Sequence, residues 1–174
     1  MTVTTVDLAD RSAATELAAL NLRAAIAGYG HIFPPEAPPP TVDELTAMWE
    51  HWLGEDWDRG RRAFVARRAG DSIGVVLTGP DPAQPELGHL ARLYVDPDHW
   101  GRGVGRGLYA AALDQLHRDG FPAATLWTLE ANERARSWYE RLGWRVTGAR
   151  KPVYEPAGIE DLQYRLELRV SRSG

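Results

Sequence analysis

The chain has 174 residues, 44% of them hydrophobic, a net charge of −4 and no cysteine. That is the size of one domain, 1–174, with enough apolar residues for a substantial core. Disulfides, thiolate metal sites and cysteine nucleophiles are excluded, the acidic balance argues against nucleic acid as a partner, and with no apolar run near the ~20 residues a bilayer needs and no basic-then-apolar leader, no membrane partner and a cytoplasmic location are expected.

Thr2 to Leu8 alternates loosely and reads as a first strand. Asp10 or Ser12 caps a helix carrying Leu17, Leu20, Ala24 and Ala27 on one face and ending near Gly28. A proline-rich loop from Gly28 to Pro40 follows, and its Tyr29, His31, Ile32 and Phe33 suit either a core plug or a pocket wall. Thr41 opens a second helix with Glu44 three residues on, a capping-box spacing. Leu45, Met48, Trp49 and Trp52 share a face of that helix and read as packing. Arg62 to Arg68 and Ser72 to Thr78 form a hairpin across Ala69-Gly70-Asp71. After the turn from Gly79 to Pro85, a strand runs from about Leu87 to Val95, and simple alternation sets His89, Ala91, Leu93 and Val95 on one side. A helix ending near Gly120 follows. Next come a strand at Ala123 to Leu129 and a helix capped by Asn132 and ended by Gly143. Trp144 to Gly148 and Asp161 to Arg169 read as the last strands, with a connection from Lys151 to Gly158. This order predicts a mixed α/β sheet.

The stretch that organises the chain is Leu93 to Leu108. An apolar strand end gives way at Asp96-Pro97-Asp98. Gly101, Gly103, Gly105 and Gly107 then alternate with Arg102, Val104 and Arg106 and lead into a helix. Each glycine inside a helix costs roughly 0.5–1 kcal/mol relative to alanine, so the cluster needs a reason. A helix start offers unsatisfied N–H donors and a dipole that favours anions. Bare backbone lets a phosphate reach those donors, and Arg102 and Arg106 add charge. The stretch reads as a phosphate or pyrophosphate cradle. It lacks the lysine of a Walker loop, since the one lysine is Lys151, and no glycine falls on the third position of a dinucleotide fingerprint.

The run Trp100-Gly101-Arg102-Gly103-Val104-Gly105 resembles motif A of the GCN5-related N-acetyltransferases (GNAT): Gln or Arg, two residues, Gly, one residue, Gly or Ala. Trp100 departs from it at the first position. Asn132-Glu133-Arg134-Ala135 through Trp138-Tyr139-Glu140-Arg141-Leu142-Gly143-Trp144 resembles the family's motif B. The resemblance implies a central mixed sheet of six to seven strands flanked by about four helices, and transfer of an acetyl group from acetyl-CoA to a primary amine of a small molecule or peptide. A homodimer is among the states it implies. A CoA-binding sensor without turnover, and transfer of a longer acyl group, are the competing readings. Leu93, Tyr94 and Val95 would bind the pantetheine arm and acetyl carbonyl through backbone groups. Gly101, Arg102, Gly103, Val104, Gly105 and Arg106 would bind pyrophosphate, Asn132 the CoA arm, and Tyr139 would protonate the departing thiolate. The two carboxylates that family members often use as base are replaced here by His89 and Trp127. His89, which titrates in the useful range, is the candidate base, with Glu86 and Glu130 behind it. The five histidines show no ligand spacing, so no metal is expected. The acceptor pocket is expected from the proline-rich loop, the turn from Gly79 to Pro85 and the connection from Lys151 to Gly158.

Overall fold

A computed structural model describes residues 4–54 and 60–168. Its elements in chain order are β1 (Thr4–Leu8), α1 (Ala14–Tyr29), α2 (Val42–Trp52), β2 (Arg62–Arg68), β3 (Asp71–Pro80), β4 (Gly88–Val95), α3 (Val104–Arg118), β5 (Ala123–Leu129), α4 (Glu133–Arg141), β6 (Arg145–Tyr154) and β7 (Ile159–Glu167). The order expected from sequence is the order observed. Residues 2, 3 and 169, which the sequence adds to the outer strands, lie outside the described residues.

The strands form one seven-stranded sheet in the order β1-β2-β3-β4-β5-β7-β6. Every neighbouring pair is antiparallel except β4 and β5. Leu17, Leu20, Leu45 and Trp49 of α1 and α2 pack on one face over Val65 and Val75. Leu108, Ala112, Leu116 and Tyr139 of α3 and α4 pack on the other over Val76, Leu90 and Leu126. The four-residue spacing along α3 is thus a core stripe. The Thr41–Glu44 capping box forms in both directions.

Two sequence expectations need correction. The strand after α4 does not stop at Gly148. It continues to Tyr154, and β7 begins at Ile159, so half of the supposed connection is strand. Gly148 takes a positive φ of 91° where the register slips between Val146 and Arg150. The apparent breaker therefore sits in a bulge. Pro152 is tolerated because β6 is the sheet edge.

The second correction concerns β4. The pairing with β3 runs Leu77↔Arg92 and then Thr78↔Leu90, so Ala91 is an extra, bulged residue. A bulge inverts alternation beyond it. Leu90, Leu93 and Val95 pack toward α3, while Ala91 and Tyr94 pack toward α1 and α2. His89 does not share a side with Leu93.

The same strand opens the sheet. β4 pairs with β5 only at Gly88↔Ala124 and His89↔Thr125. Beyond His89 the two strands diverge and the flank of Leu90 to Val95 has no strand partner. Asp96 donates its N–H to Ile73 O at 2.9 Å. By the alternation of an antiparallel ladder, Val95 and Leu93 then turn their N–H and C=O groups away from β3, into the gap.

Candidate active site

The glycine stretch enters α3 as a bare turn. Gly101 and Gly103 sit at φ of 74° and 83°, conformations that L side chains rarely adopt. Gly103 is the helix N-cap without any side-chain cap, and the first backbone donor is Gly107, to Gly103 O at 3.0 Å. Among the described residues, no protein acceptor takes the N–H groups of Gly103, Val104, Gly105 or Arg106. A Cβ placed on Gly101, Gly103 or Gly107 would meet no heavy atom within 4 Å, and one on Gly105 would meet only Val95 Cγ2 at 3.5 Å. The turn is thus uncapped and open, with Arg102 exposed beside it. An anion has both donors and room.

Trp100, in the position that departs from the family motif, donates its indole N–H to Val95 O at 2.8 Å. The Arg134 guanidinium lies over its ring at 3.7 Å. The residue therefore fastens the turn to the end of β4 and to the start of α4. It also occupies the Val95 carbonyl, which leaves the Val95 N–H for a ligand.

A cavity of about 890 Å³ opens where β4 and β5 part. Of the residues singled out from sequence, His89, Leu93, Tyr94, Asn132 and Tyr139 line it. Val95 and residues 101–106 do not; they lie beyond its end, at the mouth of α3. The stretch from Gly28 to Pro40 contributes Tyr29, Gly30, His31, Phe33 and Glu36 to Pro40, and β6 contributes Lys151, Val153 and Tyr154. The turn from Gly79 to Pro85 is not part of the lining. The face of α2 divides: Trp49 is buried in the core, whereas Met48 and Trp52 reach the cavity.

Asn132 caps α4, its Oδ1 accepting from Ala135 N at 3.2 Å. Its side-chain N–H₂ has no protein partner among the described residues. Tyr139 is 8% exposed and ringed by Trp138 and Trp144 at 5.1 and 6.1 Å. Its hydroxyl makes no hydrogen bond among the described residues, and burial holds its proton on well above the ordinary phenol range.

His89 belongs to a buried relay. The Thr125 hydroxyl donates to Asp81 Oδ2, so Thr125 Oγ1 accepts from His89 Nδ1–H at 2.9 Å. That fixes the tautomer and leaves Nε2 unprotonated. Burial, with Arg92 and Lys151 adding to it, presses the imidazole down to about 4 against the pull of Asp81. Burial also opposes charge on Asp81, but bonds from Thr125, Ala83 and Gln84 outweigh it and hold that carboxyl below its usual range. Glu130, the weaker candidate, is paired with Arg150 at 2.7 Å and does not line the cavity. Glu86 does not line it either.

Several cavity residues carried no local signal. Lys151 lies over the Trp127 ring at 4.6 Å and 3.6 Å from Asp161 Oδ2. Burial raises the Asp161 carboxyl, and Lys151 and Arg92 only partly offset it. Arg92 lies over Trp52 at 4.9 Å. These groups come from β4, β5, β6, β7 and α2 and meet only through the fold.

Known proteins share the fold. Residues 25–144 match the Acetyltransferase (GNAT) family. A Mycobacterium tuberculosis protein named "Probable N-acetyltransferase Rv2775" is 29% identical over 114 residues, 63% of this chain and 64% of that one. The mycothiol acetyltransferase of Propionibacterium freudenreichii is 36% identical over 97 residues, 54% of this chain and 31% of that one. The chain thus spans under two thirds of the length of either relative. The structure of yncA from Salmonella typhimurium, solved with its cofactor acetyl-CoA, superposes with a TM-score of 0.72, covering 99% of this chain and 98% of that one at 20% identity. With its family match over residues 25–144, and with both family motifs placed around the parted strands, this chain belongs to the GNAT acetyltransferase family.

Proposed function

We propose that this protein is an acetyl-CoA-dependent N-acetyltransferase that acetylates a primary amine by direct attack in a ternary complex. The observation that carries this is the uncapped, sterically open start of α3 beside a gap that exposes the backbone of Leu93 and Val95. The N–H groups of residues 103–106 receive the pyrophosphate, with Arg102 and Arg106 alongside. The pantetheine arm enters the gap along Leu93, Tyr94 and Val95 and meets the free amide of Asn132. The thioester then lies near Tyr139.

The neutral amine attacks the acetyl carbon, an N–C bond forms, and the C–S bond breaks as CoA leaves. Alignment of two bound reactants supplies most of the gain. The Val95 N–H stabilises the oxyanion. Tyr139 gives its proton to the thiolate sulfur. Burial raises the phenol, but it destabilises a bare thiolate in the same place, so the two stay matched. His89 is a weak base, about six pH units below an alkylammonium near 10.4. The far more acidic cationic adduct accordingly gives up its proton to water in the cavity, and His89 Nε2 receives it only by way of that water, while the amine itself enters neutral.

The relative named for mycothiol favours a small-molecule acceptor over a protein surface. The donor is an intracellular metabolite, so a cytoplasmic location goes with the reading. Among the described residues, no helix is long and apolar enough to cross a membrane. The test is thiol release from acetyl-CoA across an amine panel, wild type against Tyr139→Phe. Amine-dependent release that the variant loses supports the proposal. Tight CoA binding without release points to a sensor, and no CoA binding at millimolar level overturns both readings.

A further inference from the structure

We infer that the acceptor is an amino-acid-like molecule, a primary amine that also carries a carboxylate, and that Arg92 receives that carboxylate. The inference rests on the acceptor reading of the cavity given above. Arg92 is half-buried on the cavity wall, in β4 next to the bulge at Ala91. Its guanidinium is laid on the Trp52 ring, and Trp52 is held by an edge contact with the buried Trp49 at 5.2 Å. One donor is used, Nη1 to Ala91 O at 2.7 Å. Among the described residues no carboxylate lies within ion-pair distance of it. A stacked guanidinium with unspent donors on an aromatic-lined cavity wall is a fork set for a carboxylate.

None of the other charges in the cavity pairs with Arg92, although Asp161 feels its field. Asp161 is engaged by Lys151 at 3.6 Å, and that ammonium is itself held on Trp127. Glu36 is exposed at the rim. The cavity therefore has no acidic wall for a polycation such as a polyamine or an amino sugar with several ammonium groups. Its inner end keeps the positive charge of Arg92, since His89 is neutral at pH 7.

Position sets the size of the molecule. At about 3.3 Å per residue, Arg92 lies about 10 Å along β4 from both His89 and Val95, and next to Leu93. A carboxylate on Arg92 thus leaves the amine of a compact molecule within reach of a thioester at the gap. The aromatic walls of Trp52, Tyr29 and Tyr94 suit an apolar side chain on that molecule.

The experiment measures kcat/KM with acetyl-CoA for α-amino acids, each against its amide and its decarboxylated amine, for example phenylalanine, phenylalaninamide and phenethylamine. Rates are compared per neutral amine, because removing the carboxylate also lowers or raises the amine pKa. The wild type is expected to favour the carboxylate-bearing member at least tenfold. Arg92→Met should abolish the preference and Arg92→Lys should keep part of it, with CoA affinity as the check that each variant is folded. If Arg92→Met does not fold, the wild-type panel decides. Acetylation of phenethylamine as well as phenylalanine, or a preference that survives Arg92→Met, overturns this inference and leaves the acetyltransferase reading standing. CoA binding with no acetylation of any amine overturns both.

Discussion

The indole N–H of Trp100 and the carbonyl of Val95 meet at 2.8 Å, and this bond joins the glycine turn to the end of β4. It fixes the distance between the donors proposed to receive diphosphate and the strand proposed to line the arm. Trp100→Phe keeps the ring under Arg134 and removes only the donor. A neutral hydrogen bond contributes about 1 kcal/mol net. The expected result is an acetyl-CoA KM raised roughly fivefold with kcat little changed, measured by steady-state thiol release.

Tyr139→Phe removes a hydroxyl with no protein partner among the described residues, so thermal stability should stay within about 1 kcal/mol of wild type. If the phenol is the proton donor, kcat falls by about 10²- to 10⁴-fold while CoA affinity holds. Calorimetric CoA binding beside turnover separates the two effects. A variant with full turnover removes Tyr139 from the chemistry.

Gly103→Ala places a Cβ at φ of 83°, where strain costs roughly 1–2 kcal/mol. For a domain of this size that is a fall in Tm of about 2–8 °C. Gly107→Ala goes the other way. It lies inside α3 with open space at its Cβ, so it should gain roughly 0.5–1 kcal/mol. Opposite signs in one melting experiment check the turn's geometry.

His89 makes stability depend on pH. Its folded value of about 4 lies below the ordinary 6.5, so the unfolded chain binds more protons between those values. Stability is therefore complete above pH 6.5 and is lost as pH falls toward 4, by no more than about 3 kcal/mol. Asp81, whose carboxyl is also held low, loses its contribution at still lower pH. His89→Gln should flatten urea-melt midpoints between pH 6.5 and 4 without removing the drop below that.

What was legible in the sequence was local. The glycines around Gly103, the cap at Asn132 and the stripe through Leu108 each declare themselves within a turn or two of helix. The bulge at Ala91 did not, because nothing in Leu-Ala-Arg-Leu marks an extra residue, and alternation put His89 on the wrong face. Gly148 and Pro152 carried true breaker signals, which an edge strand absorbs. The relay of Asp81, Thr125 and His89, and the setting of Arg92 on Trp52, join residues far apart in the chain. No spacing rule reaches them, and only the order of strands in the sheet brings them together.

The two rungs between β4 and β5, Gly88↔Ala124 and His89↔Thr125, are the whole seam between the two halves of the sheet. A ligand arm with its own amides, threaded into that opening, would act as a surrogate strand and stitch the halves along the length of Leu90 to Val95. Occupancy then becomes architecture. Amide exchange at Leu93 and Val95 should be among the fastest of any interior strand in the empty protein, and should slow on addition of CoA, so that on the proposed reading the protein stiffens along its midline when loaded and loosens again when the carrier departs.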